Sequence, residues 1–344
     1  MRRLPNELLA DIFTMVNLRR GLPEWTEPWS KPPWTLTCIC RRWAAVTMGT
    51  PSLWSGLFLN LDLIGVGRGA VKMTELFHQR SGSMPLTVKI VGDWDRETND
   101  VLDVALAHCE RWRYVDLNSP RGSPILFQIA GIRGRLPNLT TLKIFAELDN
   151  DAGSSTELRD VFAVAPNLTA VHTCVENVEF SLAQAPFDFP WCQLTTLSIS
   201  FTRSEEALPI IPQLSSIVHL RVQFTDADPF PAQSPITLPH LRALEIKMQD
   251  SFDPLVSLSL LRCSTAPLVE HLGIQNEAHK DTILSFIARS GCKLKSFHFL
   301  HDTGEMSPRD FLSLVHAMPC LRDPKFGDVE ETSGPPPNSP VSIT

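Results

Sequence analysis

Gly65, Gly67, Gly69 and Ala70 have the types and spacing of a turn that brings backbone amides to a pyrophosphate at a helix N-terminus. They follow the alternating apolar residues Leu57, Leu59, Leu61 and Leu63 and precede a helix-like stretch at 71–79. A dinucleotide fold would also require an acidic ribose anchor on the next strand, and Asp93, 23 residues past Ala70, is placed for it. A glycine-rich loop leading into a first repeat helix accounts for the same residues without a doubly wound sheet. The two readings separate an NAD-type oxidoreductase from a binding protein.

Other chemistry is sparser. His298, His301 and Asp302 could ligate a metal, but one histidine lies in a strand-like unit and no further ligand converges on them. Eight cysteines, Cys38, Cys40, Cys109, Cys174, Cys192, Cys263, Cys292 and Cys320, are scattered, with a single close pair. That spacing suits neither zinc nor a disulfide framework, and it predicts free, mostly buried thiols in a reducing compartment, cytoplasm or nucleus. The Asn-Leu-Thr triplets at Asn138 and Asn167 are then accidental sequons. There is no nucleophile elbow, Walker loop, His-Glu-x-x-His helix or RING-type ligand series. No catalytic residue, cofactor or metal site is expected.

Composition narrows the partners. The chain has 344 residues, is 43% hydrophobic and carries a net charge of −7. It can bury a sizeable core, and it has no basic block to attract nucleic acid or anionic lipid. Asn6, Glu7 and Asp11 interrupt the first apolar residues, unlike a secretory leader. No run approaches the ~18 apolar residues of a spanning helix.

Leu4, Leu8 and Ile12 recur at helical spacing, with Leu9, Phe13 and Val16 widening the stripe. Pro5 suits a first turn and Glu7 its dipole, so a helix is predicted over 5–16. Residues 17–34 contain Pro23, Pro28, Pro32, Pro33 and three tryptophans, which predicts an irregular connector. Leu36, Ile39, Cys40, Trp43 and Val46 form a second helical stripe that Gly49 and Pro51 terminate.

These blocks, Leu4-Pro5 with Glu7, Leu8, Leu9, Ile12 and Phe13, then Cys40, Arg41, Arg42 and Trp43, then Thr50, Pro51, Leu53, Trp54 and Ser55, resemble the F-box of the fungal F-box-like proteins. The resemblance implies a small helical module docking on the Skp-type adaptor of a cullin–RING ubiquitin ligase. It makes Leu4, Pro5, Leu8, Ile12 and Phe13 the docking candidates. Cys40, Trp43 and Trp54 would hold the module together.

The rest of the chain repeats. Units begin at Leu139, Leu168, Leu194, Ile217, Leu241, Val269, Leu294 and Leu321, separated by 29, 26, 23, 24, 28, 25 and 27 residues, and two earlier units begin at Pro85 and Trp112. This is a leucine-rich-repeat period. Pairs such as Leu142 and Ile144 have strand spacing with one face buried. Helix-like stretches lie at 71–79, 100–109, 124–132, 157–164, 255–261, 282–287 and 309–317. The asparagine or cysteine that usually follows each strand is mostly missing, with Glu147, Thr202 and Gln249 in its place, so irregular coils are expected.

The fold class expected is α/β: a helical F-box module over 1–58, a degenerate leucine-rich-repeat solenoid over 59–329 with its parallel sheet on the concave face, and a disordered tail over 330–344. The function expected is a substrate-recognition adaptor that binds the Skp-type protein and an unknown target protein. Thr140, Thr195, Arg242 and Lys295 are the first positions to consider for target contact. The alternatives are a non-ligase protein-binding scaffold built from the same modules and the nucleotide-dependent oxidoreductase.

Overall fold

A computed structural model describes residues 4–19, 32–61, 68–92, 99–119, 128–146, 159–173, 187–201, 207–224, 235–248, 257–275, 280–301 and 307–328. The fold is α/β with parallel strands, in two compact units, one of residues 1–202 and 206–217 and the other of 203–205 and 218–344.

The first unit opens with three helices, α1 (Asn6–Arg19), α2 (Trp34–Ile39) and α3 (Arg41–Met48), followed by a 3-10 turn, Pro51–Trp54. The second apolar stripe is therefore two helices where the spacing predicted one. Cys40 is the reason: its backbone is extended (φ −161, ψ 164), and its Sγ accepts a bond from the Trp43 amide at 3.5 Å, capping α3. On α1, Leu9 and Phe13 face inward and Phe13 meets Trp43, with ring centroids 4.7 Å apart. The Trp54 indole donates to the Thr47 carbonyl at 2.9 Å and packs edge-on against Trp34 and Phe77.

Strands β1 (Gly56–Asn60), β2 (Leu86–Val91), β3 (Trp112–Ser119), β4 (Thr141–Ala146), β5 (Ala170–His172) and β6 (Thr196–Phe201) follow in spatial order, each beside the next in the chain. The boundary expected at 58 falls inside β1, which pairs with β2 through Leu57 and Val88. Helices α4 (Arg68–Ser81) and α5 (Asn99–Ala107) lie between strands as expected. Only a 3-10 turn, Ala130–Ile132, is regular within the described part of 124–132 beyond Gln128 and Ile129, and 159–164 forms turns where a helix was expected.

The second unit holds β7 (His219–Phe224), the short β8 (Ile236–Thr237), β9 (Ala243–Met248), helix α6 (Ser257–Cys263), β10 (Ser264–Thr265), β11 (His271–Gln275), α7 (Lys280–Ser290), β12 (Ser296–His301), α8 (Pro308–Ala317) and β13 (Asp323–Asp328). Its main strands run β7, β9, β11, β12, β13, all parallel, while β8 and β10 pair separately.

From β4 onward every main strand begins two residues after a unit's first residue, so the sequence repeat is the strand repeat. Register aligns like with like: Leu142 with Val171 and Val171 with Leu197 in the first unit, Leu220 with Leu244, Leu272 and Phe297 in the second. These inward side chains are essentially solvent-free, and alternate residues point outward.

The asparagine ladder missing after the strands has a counterpart before them. Asn138 Nδ2 donates to the Glu110 carbonyl (2.8 Å), Asn167 Nδ2 to Pro137 (2.7 Å), and Gln193 Nε2 to Ala165 and Leu168 (2.7 and 2.8 Å). Next to these, the hydroxyls of Thr140, Thr169 and Thr195 donate to the carbonyls of Arg113, Thr140 and Thr169. In the second unit the same place is ionic: Glu270 faces Arg242 at 3.6 Å and Lys295 at 2.8 Å. Glu147, Thr202 and Gln249, like the tail over 330–344, lie outside the described residues.

Candidate functional site

Helix α1 has two apolar faces. Leu9 and Phe13 are 5% and 1% exposed, whereas Leu4, Leu8, Ile12 and Met15 are 49%, 48%, 42% and 59% exposed. Large aliphatic side chains at spacings of four, four and three residues form one continuous stripe along the helix. Pro5 is also exposed, beside Leu4.

Of the five residues expected to dock, Leu4, Pro5, Leu8 and Ile12 are thus exposed together and Phe13 is buried. Phe13 cannot reach a partner, because it is enclosed against Trp43. Met15, which the sequence reading passes over, belongs to the stripe; its position three residues past Ile12 is the signal that could have found it. Of the three residues assigned to the module's interior, Trp54 is fully buried and Trp43 is half-buried. Cys40 is exposed and acts through its cap to α3 rather than by burial.

The stripe is held from behind and from its start. Thr14 Oγ1 lies 3.5 Å from Ser52 Oγ, linking α1 to the turn before β1. Arg42 Nε donates to Asn6 Oδ1 at 3.0 Å and its Nη2 donates to the Leu4 carbonyl. Behind the module, the Arg80 guanidinium of α4 sits 4.3 Å from the Trp54 ring centroid. Burial lowers the Arg80 pKa from its ordinary value.

A second surface is the outward face of the strands. In the first unit Lys89 pairs with Asp116 at 3.8 Å, and Lys143 lies 5.9 Å from the Tyr114 ring centroid. In the second, Arg221 pairs with Glu245 at 2.7 Å, and Glu245 leans over Gly273, where a Cβ would come within 3.2 Å of its Cγ. Thr140, Thr195, Arg242 and Lys295 are not on this face. They precede the strands and are engaged in the ladders already described.

One constellation has the composition of a catalytic triad: Ser296 Oγ is 2.9 Å from His298 Nε2, and Asp323 Oδ2 is 3.1 Å from the same atom. A relay needs serine and carboxylate on opposite ring nitrogens. Here both meet Nε2, so the group is a cross-strand link. The histidine hydrogen bond, assisted by Lys325, holds the Asp323 carboxyl below its ordinary pKa.

Residues 62–67 of the glycine-rich turn and Asp93 lie outside the described residues, as do Asp302 and the side chain of His301. Among the described residues no group of three or more metal-ligating side chains converges, and no helix is long and apolar enough to cross a membrane. The described cysteines are free, but the expectation that most are buried fails. Cys38, Cys40, Cys192 and Cys320 are exposed, and only Cys109 and Cys292 are buried, where desolvation raises their pKa.

No protein-family model matches the sequence, and no curated protein matches it.

Proposed function

We propose that this chain is a non-catalytic substrate receptor that docks on a Skp-type adaptor through Leu4, Pro5, Leu8, Ile12 and Met15 and presents a target protein bound to its repeats. The observation that carries the reading is the outward aliphatic stripe of α1, backed by an inward aromatic contact that keeps it facing solvent. An isolated soluble chain gains nothing from a row of exposed leucine and isoleucine, whereas a partner that covers it gains roughly 1.5–3 kcal/mol per fully buried side chain.

In this reading the repeats form a solenoid with the parallel strands on its concave side, and the outward strand residues meet the target. Chemistry then belongs to the cullin–RING assembly, which acts in the cytoplasm or nucleus. The receptor raises the effective concentration of target lysines near the charged conjugating enzyme.

Titration of the purified chain with a purified Skp-type adaptor tests this directly. Binding is expected for the wild-type chain and should be lost on Leu8→Asp with Ile12→Asp while the far-UV spectrum is retained. A wild-type chain that does not bind the adaptor overturns the ligase reading and leaves the adaptor-independent scaffold.

A further inference from the structure

Leu4 and Pro5 precede the first turn of α1, where helix hydrogen bonds do not order the chain on their own. Their own backbone contribution among the described residues is one bond, from the Leu9 amide to the Pro5 carbonyl at 3.2 Å. A second restraint comes from far along the sequence. Arg42, in the first turn of α3, holds the Asn6 side chain with Nε at 3.0 Å and the Leu4 carbonyl with Nη2, across separations of 36 and 38 residues. Its helix is already fixed to α1 through Phe13 and Trp43. The guanidinium therefore ties the chain just before α1 to a rigid neighbour.

We infer that Arg42 is a positioning residue for the docking face, locking Leu4 and Pro5 in the arrangement the partner meets. The inference rests on the docking role proposed for the stripe. The planar fork suits the task because it offers two donors at a fixed separation to two different acceptors, which a lysine ammonium on a flexible stem does not reproduce. Arg41, adjacent on the same turn, is exposed and supplies the control: it carries the same charge and none of these bonds. Prior ordering of the segment matters for affinity because backbone freedom lost on binding weakens the complex. Freeing about one residue of backbone corresponds to roughly tenfold in the dissociation constant.

The experiment compares full-length wild type, Arg42→Ala, Arg42→Lys, Asn6→Ala and Arg41→Ala by hydrogen exchange over residues 4–13 and by titration with a Skp-type adaptor. Arg42→Ala should speed exchange at the Leu9 amide and weaken binding about tenfold, with the melting midpoint held. Arg42→Lys should fail to restore either property, Asn6→Ala should fall between, and Arg41→Ala should match wild type in both. Unchanged exchange in Arg42→Ala overturns the inference. So does faster exchange with undiminished affinity, and so does an equal loss of affinity in Arg41→Ala, which would make the effect one of charge. Absence of binding by the wild-type chain is a different failure, since it overturns the docking reading itself.

Discussion

The rings of Phe13 and Trp43 meet at 4.7 Å with their planes 54° apart, and this contact decides which side of the first helix faces water. Leu8 and Ile12 are exposed because their immediate neighbours Leu9 and Phe13 are not. Truncation of Phe13 is expected to destabilise the protein by about 3–5 kcal/mol, the usual loss for a buried aromatic. Leu8→Ser and Ile12→Ser should shift stability by no more than about 0.5 kcal/mol. Chemical denaturation of the three variants checks the contrast; a Phe13→Ala protein as stable as wild type would place that ring at the surface.

Acid should destabilise the chain through His78. This residue is buried on α4, stacked on His108 with ring centroids 4.1 Å apart, and neither of its ring nitrogens has a hydrogen-bond partner among the described residues. Burial first, then the charges of His108 and Arg111, lowers its pKa from 6.5 to about 3. The folded pKa is depressed, so between those values the unfolded chain binds a proton that the folded chain refuses. Stability is complete above about pH 6.5 and falls as the pH drops toward 3, at a limiting rate of about 1.4 kcal/mol per pH unit. His78→Leu should flatten that part of the stability profile measured by urea unfolding. An identical slope in the variant would assign the acid sensitivity elsewhere.

The amide rungs before the strands should contribute individually. Asn167→Ala is expected to cost about 1 kcal/mol, the net value of one hydrogen bond. Asn167→Asp should cost more, because a carboxylate cannot donate to the Pro137 carbonyl and places charge against it. An Asn167→Ala protein as stable as wild type would show that the side-chain donor is not what matters.

The corresponding ionic rung in the second unit should respond to salt. Lys295 and Arg242 hold the Glu270 carboxyl below its ordinary pKa, with the Lys295 hydrogen bond the leading cause. Glu270→Gln is expected to lower the melting temperature slightly in dilute buffer, and the difference should shrink in 1 M salt, where screening acts within about 3 Å. A deficit independent of salt would contradict an electrostatic role.

Strand positions are legible in the sequence because one buried face imposes a period of two, and a slip of one residue would expose Leu142 and Ile144 together. The helices at 71–79, 282–287 and 309–317 are legible for a similar reason, their inward residues recurring every three or four positions. Phe13 is misread because Leu8, Leu9, Ile12 and Phe13 form two adjacent apolar pairs, and one helix period fits either member of each pair. Cys40 is misread because a cap is defined by backbone torsion, which apolar spacing does not encode. Arg42 carries no local signal: both of its acceptors are more than thirty residues away, in a segment that looks complete by itself.

The ladders before the strands also bear on how such a chain can change over generations. Side chains at one corner fix where each strand starts, and register then follows from the buried leucines. The stretch from the end of one strand to the next corner varies in length: the spacing between units joined by these registers ranges from 24 to 29 residues while an apolar residue still faces an apolar one. Insertions and deletions confined to those stretches leave the framework intact, so lineages can remodel what the strand ends present without having to reinvent the scaffold.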